Sequence, residues 1–250
     1  MLKTYDVAIV GAGLVGSLAA ILLSQKGLQV ALIDPSSGQV SLSMPPAYDT
    51  RVSAISNASQ RLLTRAGVWQ NMTAERLSYY HKMDVWDGLG SGDIQFDAMQ
   101  TGFPALGCLV ENAALQDVLF QYLQRSTSVE THFADSLSSF QVADQLVTLV
   151  LDSGKKIQAS LLVGADGARS KVRELAAFET REWDYGHHAI VATLEIDRNP
   201  QGTAWQAFGE EGVLAFLPMP SFEGRYFVSI VLSVSPDVAQ QLCSLSANEF

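Results

Sequence analysis

Three glycines at positions 11, 13 and 16 have the spacing of a turn that receives the pyrophosphate of a dinucleotide. In such a turn the first glycine permits the tight bend. The second lets backbone approach the phosphates, and the third packs helix against strand. Asp34, at the end of the next apolar run, stands where a ribose hydroxyl would be accepted. The competing reading is a structural glycine-rich turn with a solvated aspartate; the apolar strand before the turn and the helix after it weigh against that. The motif does not separate a nicotinamide from a flavin dinucleotide.

Other chemistry-bearing residues carry less. His187 and His188 are adjacent, and on a strand adjacent side chains point to opposite faces, so they suit a structural role better than chelation of one ion. Cys108 and Cys243 have neither metal nor redox spacing, which fits two inert thiols in a reducing cytoplasm. No Ser-His-Asp set or pair of catalytic carboxylates stands out, consistent with chemistry carried by a cofactor.

The elements around the turn are legible. Tyr5 to Val10 reads as a buried parallel strand, Val15 to Lys26 as a helix capped by Gly27, and Leu28 to Ile33 as a second strand ending at Asp34. Right-handed crossover makes the strands parallel neighbours, with the helix N-terminus aimed at the crevice beyond their carboxyl ends. Pro35 to Thr50 is a polar surface loop, and Ser59 to Ala66 and Ala113 to Gln124 are helices. Met83 to Trp86 and Asp93 to Phe96 form a hairpin belonging to another sheet, and Gln145 to Val163 is a strand pair turned at Asp152-Ser153-Gly154. Beyond Arg173, runs at Ala189 to Ile196, Gly212 to Leu217 and Tyr226 to Val234 predict an antiparallel sheet with one covered face. The fold class is thus α/β, a Rossmann-like βαβ domain interleaved with an antiparallel-sheet domain. The expected domains are 1–72 with 107–178, and 73–106 with 179–250. Ser246-Ala247-Asn248-Glu249 matches a capping box, the start of a further helix, so the sequence reads as lacking a C-terminal portion.

With 250 residues, 48% hydrophobic and 17% charged, the chain can bury one large core or two modest ones. A formal net charge of -10 argues against a nucleic-acid partner, which needs a basic stripe. Val7 to Leu23 is apolar but interrupted by glycines and preceded by Asp6, unlike a signal peptide or membrane span.

Four segments taken together carry a resemblance. They are the Gly11/Gly13/Gly16 turn, Asp49-Thr50-Arg51-Val52-Ser53-Ala54-Ile55-Ser56, Val110-Glu111-Asn112, and Gly164-Ala165-Asp166-Gly167-Ala168-Arg169-Ser170-Lys171-Val172-Arg173. The chain resembles the class A flavoprotein aromatic hydroxylases and, within them, the ubiquinone-biosynthesis branch that includes the 2-polyprenylphenol hydroxylases. Leu62 to Gln70, Trp183 to Ala189 and Gly212 to Pro218 add to the likeness.

The resemblance implies FAD as cofactor and NAD(P)H as co-substrate, with a polyprenylphenol ring and molecular oxygen as the reacting partners. It implies that Arg51 approaches the flavin and pyrophosphate, that Asn112 lies beside the flavin, and that Asp166 and Gly167 support the ribose-pyrophosphate region and nicotinamide contact. Arg173 would stabilise that turn. The alternatives are a surface salt bridge for Arg51 and a helix N-terminal acid for Asp166, the latter compatible with the cofactor role. A dry pocket is expected, with Ala215, Phe216 and Leu217 in its wall. A polyprenylated substrate implies a cytoplasmic protein touching the membrane periphery or a biosynthetic assembly. Family members carry a second Gly-Asp motif beyond position 250, so this form is expected to bind FAD weakly or not at all and to lack hydroxylase activity. The rival readings are the same chemistry at another ring position, on a demethoxyubiquinone or methoxyphenol, and a non-catalytic dinucleotide-binding module.

Overall fold

The structure, a computed structural model, describes residues 2–45, 47–246 and 249. In chain order, β1 (Thr4–Val10), α1 (Leu14–Ser24) and β2 (Val30–Asp34) form the βαβ start. β3 (Val52–Ser56), α2 (Asn57–Arg65), β4 (Leu77–Tyr80), β5 (Lys82–Asp87), β6 (Asp93–Asp97) and β7 (Gly107–Glu111) follow. Then come α3 (Asn112–Arg125), β8 (Val129–Phe133), β9 (Leu137–Ala143), β10 (Leu146–Leu151), β11 (Lys156–Gly164) and α4 (Lys171–Leu175). β12 (His188–Ile196), β13 (Thr203–Gly209), β14 (Gly212–Pro218), β15 (Tyr226–Val234) and α5 (Pro236–Cys243) complete the described elements.

The chain divides into two compact units, the first comprising Met1–Ser41, Leu62–Asn71 and Ala113–Arg181, the second Leu42–Arg61, Met72–Asn112 and Glu182–Phe250. Stretches 42–61 and 107–112 therefore fall with the second unit, where the sequence pattern had grouped them with the dinucleotide domain. They leave the first because β3 and β7 pair with each other, Val52 opposite Glu111 and Ser56 opposite Gly107.

The first unit is built on a six-stranded sheet in the order β8-β2-β1-β11-β10-β9. β8, β2, β1 and β11 run parallel, and β10 and β9 continue antiparallel. β1 and β2 are apolar at nearly every position because both faces are covered, as in buried parallel strands. On one face Ala8, Val10, Ala31 and Ile33 pack with Leu137, Leu149, Leu151 and Ile157 of the β9-β10-β11 meander.

The second unit holds a six-stranded sheet, β12-β15-β14-β13-β5-β6, and a three-stranded one, β3-β7-β4. The larger sheet departs from the antiparallel expectation at one pair: β13 runs parallel to β5, Thr203 opposite Lys82. A parallel neighbour has no tight turn to announce it, which is why the sequence pattern hides it. The capping-box residues Ala247 and Asn248 lie outside the described residues. Across them, Glu249 Oε2 accepts the Ser246 N–H at 3.0 Å and its hydroxyl at 2.6 Å.

Candidate dinucleotide site

The glycine turn is locked on both sides by backbone. Gly11 N–H donates to the Ile33 carbonyl at 2.8 Å, and Ala165 N–H to the Val10 carbonyl at 2.7 Å. Two of the three glycines are required by the protein itself. Gly11 has φ +103°, and a β-carbon there would overlap the Ala165 carbonyl. On Gly16 a β-carbon would overlap the Gly11 carbonyl.

Gly13 is different. Its φ of -63° and ψ of -176° suit any residue, and a β-carbon there would meet nothing within 4 Å. Gly13 is also the N-cap of α1, with no side-chain cap and no acidic residue in the first turn. The first N–H groups of a helix have no intrahelical acceptor, and with the helix dipole they favour an anion.

The Ala12 peptide between them is fixed at both ends. Its N–H donates to Asp34 Oδ2 at 2.6 Å. Its carbonyl accepts from the Ser17 hydroxyl at 2.8 Å and from Gln116 Nε2 at 2.9 Å. Asp34 Oδ1 takes the Ser36 N–H at 2.8 Å. Each oxygen of an ionised carboxylate has a second lone pair, so Asp34 can hold the turn and still accept from a diol. Gln116 was not singled out from sequence, because a glutamine on a helix ordinarily marks the solvent side.

Asp166 stands at the start of α4. Its Oδ1 accepts the Ser170 hydroxyl at 2.6 Å, and its Oδ2 accepts the N–H groups of Lys171 at 2.6 Å and Val172 at 3.2 Å. Burial acts to raise its pKa, but these hydrogen bonds from Ser170, Val172 and Lys171 prevail and hold the carboxyl below its ordinary range. The helix N-terminal role is therefore present in the geometry. Gly167, at φ +81°, makes the bend that follows, and Arg173 Nη2 donates to the Ala168 carbonyl at 2.7 Å, bracing the turn. A cleft of 530 Å³ opens here at the carboxyl ends of β1 and β2, lined in part by Val10, Ile33, Ser136, Asp166, Arg169 and Lys171.

Gly11, Gly13, Gly16, Asp34, Asp166 and Gly167 thus gather in the first unit, whereas Arg51 and Asn112 meet in the second. Asn112 N–H donates to the Arg51 carbonyl at 2.9 Å, and Asn112 Oδ1 accepts the Ser53 hydroxyl at 2.6 Å. Among the described residues the Arg51 side chain forms no ion pair. Behind them sits a buried pair that sequence reasoning passed over: Arg76 Nη1 meets Glu111 Oε2 at 2.5 Å, with Arg76 8% and Glu111 2% exposed. The only signal for it was a carboxylate closing the apolar run Cys108-Leu109-Val110.

In the larger sheet Ala215 and Leu217 face one way and Phe216 the other, because successive side chains alternate. The three cannot form one wall. Ala215 instead shares its face with Val231, Gln206 and, on the next two strands, Val85 and Ile94. His187 and His188 are exposed, and His187 Nδ1 lies 3.0 Å from the Tyr185 carbonyl. Burial pushes the Cys108 thiol up to about 12, which leaves it an unreactive core group. Cys243 is exposed.

Residues 4–242 match the model of a protein family described as FAD binding domain. The 3-demethoxyubiquinol 3-hydroxylase of Escherichia coli (strain K12) is 35% identical over 243 residues, 96% of this chain and 60% of that protein. Ubiquinone hydroxylase UbiL of Rhodospirillum rubrum is 35% identical over 248 residues, 99% of this chain and 56% of that protein. The chain therefore spans 60% or less of the length of these relatives. Among solved structures, a mutant of P. aeruginosa PqsL superposes with a TM-score of 0.81 at 18% identity, covering 97% of this chain and 64% of the other. The p-nitrophenol 4-monooxygenase PnpA from Pseudomonas putida gives 0.74 at 18% identity, covering 100% and 60%. At those identities the likeness is one of fold.

Proposed function

The chain belongs to the FAD-binding domain family, and from that premise we propose that it is the cofactor-binding part of a flavin-dependent, NAD(P)H-using monooxygenase that hydroxylates the ring of a polyprenylated phenol in ubiquinone biosynthesis. The observation that carries this reading is Gly13: nothing within 4 Å of its β-carbon position explains a glycine, whereas a pyrophosphate lying on the uncapped end of α1 does. The donor set fits FAD. Free N–H groups of α1 would take the pyrophosphate, Asp34 would accept from the ribose, and Asp166-Gly167 would shape the turn beside it. Arg51 and Asn112, which meet through backbone and Ser53 hydrogen bonds, keep the flavin-side role that the family resemblance implies.

When bound, FAD reduced by NAD(P)H would react with oxygen and deliver one oxygen atom to an electron-rich ring. The protein's part is to bind, orient and exclude water. Val231, Ala215, Val85 and Ile94 share a face of the larger sheet, with the polar Gln206 between Ala215 and Val85, and offer a largely apolar wall with one amide for an aromatic ring. The ring position remains a choice between a polyprenylphenol and a demethoxyubiquinol-type substrate; the name of the Escherichia coli relative favours the second. No described helix is long and apolar enough to cross a membrane. Incubation of the protein at the full length of its relatives with FAD, NADPH, oxygen and either a prenylphenol or a demethoxyubiquinol, with product identified by mass spectrometry, tests the reading, because the span described here is expected to lack the activity by itself. An oxygen-dependent gain of one oxygen atom supports it, and no product from either substrate counts against it.

A further inference from the structure

Taking an arginine and a glutamate out of water carries a desolvation cost that their mutual attraction does not dependably repay, so such a pair needs a reason beyond stability. Beyond the ion pair itself, each partner reaches the same loop. Arg76 Nη2 donates to the Ser43 carbonyl, while Glu111 Oε1 accepts the Asp49 N–H at 2.7 Å. The two ends of the stretch 43–49 are thus held by the two members of one ion pair.

The hold passes on to the residues of interest. Asp49 Oδ1 accepts the Arg51 N–H at 3.1 Å. The Arg51 carbonyl accepts the N–H of Asn112, the residue next to Glu111, at 2.9 Å. Glu111, Asp49, Arg51 and Asn112 therefore close a ring of backbone-directed hydrogen bonds, with Tyr48 anchored beside it by its hydroxyl bond to the Pro220 carbonyl at 3.1 Å and by edge-on packing with Phe227.

We propose that Arg76 and Glu111 are positioning residues, a buried clamp that fixes the 43–51 loop so that Arg51 and Asn112 are presented to the flavin in a pre-set geometry; this rests on the cofactor reading given above. A buried pair replaced by apolar residues of similar volume is often neutral for stability, which separates positioning from folding. In Arg76→Met/Glu111→Leu the loop loses both anchors. In Arg76→Met/Glu111→Gln the amide oxygen still accepts the Asp49 N–H.

The test compares parent and both double variants by amide hydrogen exchange at Asp49 and by FAD titration with the flavin visible spectrum. The clamp predicts a melting temperature close to the parent's, loss of Asp49 protection and at least tenfold weaker FAD binding with a free-flavin-like spectrum in the Leu form, with Asp49 protection restored and affinity only partly restored in the Gln form, which still lacks the Ser43 anchor. Equal Asp49 protection in the Leu form and the parent overturns it, as does parental FAD affinity in the Leu form. Should the Leu form not fold, Asp49→Ala, which cuts only the link to Arg51 in a half-exposed loop, is expected to weaken FAD several-fold; parental affinity there overturns the proposal. Failure of the parent, at the full length of its relatives, to take up FAD removes the cofactor reading, and the clamp then stands or falls on the exchange measurement.

Discussion

The carbonyl of Gly11 occupies the space that a β-carbon on Gly16 would need. This contact ties the end of β1 to the first turn of α1 and sets how closely helix and strand approach. Gly16→Ala must push the helix off the sheet, at a cost of about 1–3 kcal/mol or more. Gly11→Ala adds a left-handed backbone angle to a similar overlap with Ala165. Urea denaturation should find both variants less stable than the parent; parental stability in either would contradict the packing described.

Asp34 supports the turn before it meets any ligand. Asp34→Ala leaves the Ala12 N–H, in a residue only 2% exposed, without its acceptor, and a lost partner of that kind costs about 1–3 kcal/mol. Asp34→Asn keeps one oxygen for the Ala12 N–H and should be milder. Thermal melts should rank the parent above Asn and Asn above Ala, with FAD affinity falling in both. An Ala variant as stable as the parent would show that the bond does not matter.

Acid should weaken the Asp166 turn. The carboxyl is held below its ordinary value of 3.8, burial opposing and the bonds from Ser170, Val172 and Lys171 prevailing. A depressed carboxyl contributes stability that is present above the unfolded value and lost as the pH falls through the folded one. Asp166→Asn removes this dependence and turns an amide N–H₂ or a single oxygen toward two backbone donors, at about 1–2 kcal/mol. Stability measured from pH 6 downward, about where the ionised form is complete, should show a smaller acid loss in the variant than in the parent. Superimposable curves would remove Asp166 from the account of acid sensitivity.

His132 acts at higher pH. Burial lowers its pKa from 6.5, and the Lys155 charge adds to the effect while Glu130 and Asp135 oppose it. Its Nε2 is buried, and Glu130 at 3.6 Å is too far for a hydrogen bond. The unfolded chain takes up the proton more readily, so this group's contribution is intact above 6.5 and lost as the pH falls below it. His132→Phe should flatten the stability profile just below 6.5 relative to the parent; an unaltered slope would mean the imidazole titrates normally.

The βαβ start was legible because its signals are local: an apolar run, a glycine turn, a helical period and an acid follow one another within Tyr5 to Asp34. What escaped notice depends on residues far apart. Val52–Ser56 finds its partner Gly107–Glu111 some fifty positions on, and Thr203–Gly209 lies parallel to Lys82–Asp87, with no hairpin to signal either pairing. Arg76 and Glu111 look like an ordinary surface cation and an ordinary strand-end acid until the fold brings them to 2.5 Å. The grouping of Ala215, Phe216 and Leu217 failed for the opposite reason, since neighbours in a strand are the residues least able to share a face.

Gly13 is the position at which protein packing gives no reason for a glycine and a bound pyrophosphate does. Titration of FAD into the parent and Gly13→Ala, followed by flavin fluorescence alongside a thermal melt, separates the two explanations. Gly13→Ala should shift the melting temperature without FAD by only a few degrees, the poorer N-cap costing about 0.5–1 kcal/mol and the stiffer unfolded chain offsetting part of it, and should raise the dissociation constant at least tenfold, about 1.4 kcal/mol, as the new methyl meets the phosphates. Gly13→Ala binding FAD as tightly as the parent would contradict the pyrophosphate explanation.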